Sequence, residues 1–305
     1  MQIKRFSVES KIAILEKNIP VALAMLKDCT VCPRLCHVDR TNDELGKCGV
    51  PAKLKVSSAN LHFGEEPPIS GKRGSGTIFL SGCNLRCIYC QNYPISQYRH
   101  GEFYSVEQVA AMMLALEEKN AHNINFVTPT HFVPLLMKAM LYAYKSGLTL
   151  PIVYNSSGYD SIDMLTLLDG VIDVYMPDMR YADPKNGLKY SGVPDYPEVN
   201  RAVIKEMHRQ VGILQVNDGI ASRGLLIRHL VLPGRISGSK KIFNFIAREI
   251  SSETYVSVMS QYFPAYNAYS YPHLSRRLTK PEYDEVLIDF ERAGLSNGYI
   301  QPYLA

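Results

Sequence analysis

The sequence predicts an α/β protein in which six strand–helix units follow a small N-terminal metal-binding segment. Two observations carry this reading. From residue 77 onward, short apolar runs alternate with longer stretches of helical period, a pattern that demands right-handed crossovers and a parallel sheet with helices outside. All seven cysteines fall between Cys29 and Cys90, an odd count bunched in one third of the chain, which argues against a disulfide framework and for metal binding. At 305 residues and 46% hydrophobic content, the chain is long enough to bury a large core. It divides at sequence level into an N-terminal segment, residues 1–72, and a core, residues 73–305.

In order along the chain, residues 8–28 have helical period, with an interruption expected at Pro20 because the residue before a proline is biased away from helix. Cys29, Cys32, Cys36 and Cys48 then form a C-x2-C-x3-C-x11-C group. Four soft ligands this close suit zinc or an auxiliary iron-sulfur cluster equally in number. The spacing departs from the two-pair zinc pattern, which tilts the reading toward iron and sulfide. His37, beside Cys36, is read as lying outside the ligand set, since four cysteines already close a site. Residues 53–63 alternate as a strand does. Gly64-Glu65-Glu66-Pro67-Pro68-Ile69-Ser70-Gly71 follows, either an ordinary connection or a loop covering a cofactor, its glycines permitting positive φ and close backbone approach.

A short apolar strand over 77–80 leads into Ser81-Gly82-Cys83-Asn84-Leu85-Arg86-Cys87-Ile88-Tyr89-Cys90-Gln91-Asn92. Cys83, Cys87 and Cys90 make a C-x3-C-x2-C run that can hold three corners of a cubane. A 4Fe-4S cluster normally takes four protein thiolates, so three leave one iron open to a small molecule. A structural zinc loop would need four ligands in a closed tetrahedron, and the run has neither that count nor the pairing.

Beyond it, Ser105-Val106-Glu107-Gln108 is a capping box opening a helix to about residue 118. Strands are expected over 124–127, 151–154, 171–176, 225–232 and 254–259. Between and after them, helices are expected over 132–147, 160–168, 199–211, 241–250 and 281–293. With the cluster strand counted first, the pattern is (βα)6, and active residues of such sheets sit at the C-terminal ends of the strands.

The cysteine run resembles that of the radical S-adenosylmethionine (SAM) enzymes. The resemblance implies a partial (βα)6 TIM-like barrel and a 4Fe-4S cluster on Cys83, Cys87 and Cys90 whose fourth iron is chelated by the amino and carboxylate groups of SAM. It also implies reductive cleavage of SAM to a 5′-deoxyadenosyl radical, chemistry that belongs to the cofactor while the protein orients and shields it. Within that superfamily, Gly82-Cys83-x-x-x-Cys87-x-Tyr89-Cys90-x-Asn92 and Ile227-Arg228-His229-Leu230-Val231-Leu232-Pro233-Gly234 are similar to the activating enzymes of glycyl radical enzymes, of which the pyruvate formate-lyase activating enzyme is the best known. That likeness implies Tyr89 beside the adenine, the apolar residues of 227–232 as an adenine wall, and Asn155 in a loose match to the family's Thr-Asn-Gly. Asp178 and Arg180 match its Asp-x-Lys, facing the ribose hydroxyls and the carboxylate. Where the family has Gly-Gly-Glu, this chain has Val127-Thr128-Pro129-Thr130-His131; hydroxyls of Thr128 and Thr130, or backbone carbonyls, would accept from the SAM ammonium. The upstream four-cysteine module, a second metal centre, is absent from the best-known activating enzyme.

The expected function is therefore that of a radical SAM oxidoreductase abstracting hydrogen from a protein or peptide backbone, as glycyl radical activases do. The alternatives are radical modification of another peptide or a small molecule, and a non-catalytic iron-sulfur or zinc binding module. Its expected partners are a low-potential electron donor such as a flavodoxin or ferredoxin and a protein or peptide substrate. Net charge is +4, from 33 basic and 29 acidic residues, too mild to argue for nucleic acid. The first residues are broken by Glu9, Lys11, Glu16 and Lys17, so no signal-peptide segment forms, and the apolar stretch 19–26 is too short to span a bilayer. A cytoplasmic protein without a membrane partner is expected.

Overall fold

The six strands of the expected strand–helix units are present and parallel in the computed structural model, which describes residues 6–303, and the strand expected over 53–63 is present but antiparallel. The strands are β1 (Leu54–His62), β2 (Ser75–Leu80), β3 (Glu102–Tyr104), β4 (Ile124–Val127), β5 (Ile152–Ser156), β6 (Val174–Pro177), β7 (Gln215–Asn217), β8 (Ile220–Leu230), β9 (Tyr255–Met259) and β10 (Gly298–Ile300). They form one sheet in the order β10-β9-β8-β6-β5-β4-β2-β1-β3, with β7 attached to β8. From β2 to β10 along that order all pairings are parallel, while β1 and β3 add an antiparallel edge. The helices are α1 (Val8–Ala24), α2 (Pro67–Ser70), α3 (Tyr93–Ser96), α4 (Val106–Glu118), α5 (Val133–Lys145), α6 (Ile162–Leu167), α7 (Pro184–Ser191), α8 (Tyr196–Val211), α9 (Ser239–Phe245) and α10 (Lys280–Arg292).

Local chemistry accounts for the boundaries. The capping box at Ser105 forms as expected, its hydroxyl accepting from Gln108 N–H while the Gln108 side chain returns to the Ser105 N–H. Pro20 does not interrupt α1, contrary to expectation: the helix runs through it to Ala24. One lost backbone bond is outweighed by Leu15, Ile19 and Ala22, which are buried where α1 packs on α5. The short strand β10 gave little sequence signal. Gly298 makes it possible, because a Cβ there would lie 2.0 Å from the Val256 carbonyl oxygen of β9.

Alternation along the strands separates two faces. Phe126, Tyr154, Tyr175, Ile227 and Val256 belong to the large core beneath the helices. Val153, Val174, Met176 and Leu226 face the other way and pack around Ile69 of α2. Residues 64–71 contain α2. They cross the inner face of the sheet, because Ile69, fully buried, is more stable among those side chains than in water. The sequence boundary at residue 72 falls between α2 and β2. On its N-terminal side β1 pairs with β2, and Leu15, Cys29, Val50 and Leu54 share one core with the strands beyond it. Among the described residues, no helix is long and apolar enough to cross a membrane.

Candidate functional site

Strand β2 delivers the three-cysteine loop to the C-terminal edge of the parallel strands. Gly82 begins it with φ +83° and a Cα so close to the Cys48 carbonyl oxygen that a Cβ would stand 2.9 Å from it. Backbone bonds strap the loop on two sides: Gly82 N–H to Ile95 O at 2.9 Å, Arg86 N–H to Ser191 O at 3.1 Å and Ile88 N–H to Tyr190 O at 3.0 Å. Each sulfur has a polar neighbour. Leu85 N–H donates to Cys83 Sγ at 3.4 Å, Ser191 Oγ lies 2.9 Å from Cys87 Sγ, and Ser96 Oγ lies 3.1 Å from Cys90 Sγ. Arg180 Nη1 adds a donor 3.6 Å from Cys87 Sγ.

The thiols feel one another electrostatically. Burial, then the Cys87 and Cys90 charges, push the Cys83 thiol up to about 12, and burial followed by Cys87 raises that of Cys90. Unliganded, Cys83 and Cys90 are neutral at pH 7, so binding an iron centre must displace their protons. Soft thiols ringed by hydrogen-bond donors suit an iron-sulfur cluster, whose sulfur ligands carry negative charge. Among the described residues, no group of three or more His, Cys, Asp or Glu side chains is arranged as it stands to hold a metal ion.

Next to the loop lies a cavity of about 150 Å³, whose lining includes Tyr89, Cys90, Asp178, Arg180, Arg228 and Leu230. Asp178 follows β6 and is gripped by two cations: Arg180 Nη2 at 2.5 Å and Arg228 Nη2 at 2.9 Å. This is no surface ion pair, for the three side chains are largely buried. Burial, the largest single influence, would lower the Arg180 guanidinium, but the charges of Asp178, Cys87, Tyr89 and Tyr196 together outweigh it and raise the value well above normal. Tyr89 is buried. Its hydroxyl accepts from Tyr181, whose oxygen lies 2.8 Å from Ser191 Oγ, completing a chain to Cys87.

Sequence reasoning singled out Tyr89, Asp178 and Arg180, and all three line this cavity; Thr128, Thr130 and Asn155 do not. Thr130 donates its hydroxyl to buried Asp160 at 2.6 Å, and the Asn155 amide donates to Glu65 at 3.3 Å. Thr128 holds φ +61° at the end of β4. Of the residues expected to wall an adenine, Ile227 and Val231 belong to the core under the helices, and Leu230 lines the cavity. Arg228 was quoted in the strand motif without a role, yet it bridges Asp178 to Glu65, with Glu65 Oε2 3.4 Å away. Period-two alternation set it on the inner face with Leu226, and that was the available signal.

The four-cysteine group sits against the same loop. Cys29 N–H bonds Val38 O at 3.0 Å and His37 N–H bonds Cys29 O at 3.2 Å, with Leu35 and His37 at positive φ. Burial first, then the charges of Cys48, Cys29 and Cys36, push the Cys32 thiol up to about 12. Those four side chains therefore share one neighbourhood. Buried Arg40 anchors the group, donating to the carbonyls of Val50, His131 and Pro51 at 2.7–3.2 Å. Arg34 Nε donates to Asn84 O at 2.7 Å, and Arg86 bonds Lys47 O. His37 points outward to Asp28.

Comparison with known proteins agrees with this geometry. Residues 77–219 match the model of the Radical SAM superfamily. A protein of Methanocaldococcus jannaschii described as uncharacterized is 32% identical over 284 residues, covering 90% of this chain and 77% of that protein. Two solved structures share the fold at a TM-score of 0.51 over 74% of this chain. One is a radical SAM methyltransferase from Sphaerobacter thermophilus, 11% identical and covered over 66% of its length; the other is HydG, a maturase of the FeFe hydrogenase, 12% identical and covered over 50%.

Proposed function

Because the chain belongs to the radical SAM superfamily, we propose that Cys83, Cys87 and Cys90 hold a 4Fe-4S cluster and that SAM enters the adjoining cavity, with the sheet curled as a partial (βα)6 barrel. When bound, such a cluster supplies the electron that splits SAM into methionine and a 5′-deoxyadenosyl radical, which takes a hydrogen atom from the substrate. The observation that carries this reading is the convergence of Cys90, Tyr89, Asp178 and Arg180 on one cavity at the strand ends. Arg180 offers a cation for the SAM carboxylate, and Asp178 accepts from ribose hydroxyls. Thr130 is engaged by Asp160 and Thr128 lies outside the cavity's lining, so neither hydroxyl is placed to accept from the methionyl ammonium. Tyr89 and the tyrosines around it keep water from the reacting atoms.

The cavity shares Arg228, Met259 and Gln261 with a second one of about 380 Å³. A pre-formed, half-open cavity of that size with mixed polar and apolar walls favours a small molecule or a peptide side chain as substrate. A second reading, activation of a glycyl radical enzyme, is favoured by the motif running from Gly82 to Asn92. Cys29, Cys32, Cys36 and Cys48 are proposed to hold a separate metal centre, zinc or an auxiliary iron-sulfur cluster. A flavodoxin or ferredoxin of the cytoplasm is the proposed electron donor.

Anaerobic reconstitution with iron and sulfide tests the chemistry. Reduced with dithionite, the protein should convert SAM to 5′-deoxyadenosine and methionine, and no product from fully loaded protein overturns the reading. Mixing with a glycyl radical enzyme and recording the electron paramagnetic resonance spectrum separates the two substrates. A glycyl doublet supports the second; its absence while 5′-deoxyadenosine forms supports the first.

A further inference from the structure

The segment from Glu65 to Ile69 buries two adjacent carboxylates on the inner face of the sheet. Glu65 is fully engaged: Oε1 accepts from Asn125 at 3.0 Å and Asn155 at 3.3 Å, and Oε2 from Arg228 at 3.4 Å. Glu66 is different. It is 8% exposed and lines the 380 Å³ cavity, and its Oε2 is buried with no hydrogen-bond partner. An unpaired buried carboxylate oxygen is costly. Protonation alone does not relieve it, because an O–H at that oxygen would also need an acceptor.

Charge points the same way. The connected group holds three carboxylates, Glu65, Glu66 and Asp178, against two guanidiniums, Arg180 and Arg228. Burial, the largest influence, raises both the Glu65 and the Glu66 carboxyls, so the group carries all three negative charges only when a further cation joins it. Arg228, which also holds Asp178 and Glu65, and the Ser257 hydroxyl are the side chains that favour the Glu66 anion. The missing complement is a small cation carrying N–H donors. The cavity mouth, with Tyr299, Gln301 and Gln261, suits an organic group on such a cation.

We propose that this cavity is the substrate subsite of the enzyme and that it takes a protonated primary amine, with Glu66 as counterion and the Glu65–Arg228 pair, held from behind by Asp178, as its fixed wall. Two sources could supply such an ammonium: a substrate, or the methionyl group of SAM. The substrate is favoured because the SAM ammonium belongs at the open iron, beside Cys90, whereas Glu66 lies with Ser257 in the neighbouring cavity. The assignment to substrate rests on the radical SAM reading of the adjoining cavity; amine binding itself does not.

The test is calorimetric titration of the anaerobic, reconstituted protein with putrescine, using 1,4-butanediol as the uncharged control. Putrescine should bind and the diol should not, and saturating SAM should leave putrescine bound. Glu66→Gln should weaken putrescine on the order of tenfold or more. Equal binding of amine and diol, or none of either, overturns the proposal on wild-type protein without recourse to a variant. Undiminished putrescine binding by a folded Glu66→Gln protein also overturns it. Displacement by SAM would assign Glu66 to the cofactor and overturn the substrate subsite. Failure to cleave SAM would instead strike the functional reading, and the titration would still report on the amine site.

Discussion

The two cysteine groups touch, Cys48 O against Gly82, yet they are held in different ways. The four-cysteine group is folded on itself by tight turns and anchored by Arg40 to carbonyl groups of the neighbouring backbone. Four thiols can complete a metal's coordination. The three-cysteine loop is fixed from outside, by α3, α7 and the strand ends, and one of the side chains beside its sulfurs also reaches a cavity. That side chain is Arg180, with one nitrogen near Cys87 Sγ and another on Asp178. Charge at the sulfur and charge in the cavity are thereby coupled through one guanidinium.

The largest effect that this contrast predicts is on SAM cleavage. Alanine at Cys83, Cys87 or Cys90 should reduce 5′-deoxyadenosine formation to background, because each thiolate would hold one iron. Retained product in any of these variants would falsify the assignment. The triple variant, purified without oxygen, should still carry a metal centre on Cys29, Cys32, Cys36 and Cys48. One zinc without sulfide would make that module structural, and about four irons with matching sulfide would make it an auxiliary cluster. No metal on a protein that remains folded at residues 29–48 would break the two-site description.

Next in size is the ion-pair row. Asp178 serves two guanidiniums, so Asp178→Ala leaves both without their shared partner and should cost roughly 3–5 kcal/mol. Arg180→Ala leaves Asp178 with Arg228 and should cost less, about 1–2 kcal/mol. Both should weaken SAM binding on the order of tenfold while iron content holds. Urea denaturation and SAM titration together check this. Equal stability losses would mean that Arg228 does not share Asp178 in solution.

The parts of this arrangement that were legible in sequence are those with a local cause. The C-x3-C-x2-C spacing, the capping box at Ser105 and the apolar runs of the six parallel strands each declare themselves within a few residues. Asp178 and Arg180 were legible because residues two apart after a strand point the same way. Glu65 and Glu66 were not, since their partners Asn125, Asn155, Arg228 and Ser257 lie on four different strands. Thr130 misled for a related reason. A hydroxyl at a strand end reads as open to a ligand until Asp160, thirty residues on, is found to take it.

A third prediction concerns the seam between the two groups. His131 lies in it, its carbonyl accepting from Arg40 and its Nε2 3.0 Å from Ser81 O. Burial, aided by the Arg40 charge, pulls its imidazole down to about 3 from an ordinary 6.5. The folded value is the lower one, so the unfolded chain binds this proton first as pH falls. Its contribution is fully present above pH 6.5 and is lost progressively between there and about 3, at up to about 1.4 kcal/mol per pH unit. His229, drawn down by burial to about 4, acts in the same direction. His131→Gln should flatten, without abolishing, the fall in urea midpoint between pH 7 and 5. An unchanged slope would mean that His131 is not buried and neutral.

The smallest predicted effect decides whether the four-cysteine group is closed by its own thiols. His37 stands next to Cys36 and could serve as a ligand if one cysteine were displaced. Its ring instead points outward, Nδ1 2.9 Å from Asp28, with 58% of its side chain exposed. An exposed pair of this kind contributes a few tenths of a kcal/mol, so His37→Ala should shift the melting temperature by no more than about 1–2 °C. Metal content should be unchanged, measured in the variant lacking Cys83, Cys87 and Cys90 so that only the N-terminal centre is counted. Loss of metal there would make His37 a ligand and free one thiol. The N-terminal group would then have three cysteines, like the loop beside it, and the distinction between a self-closed site and an open one would fail.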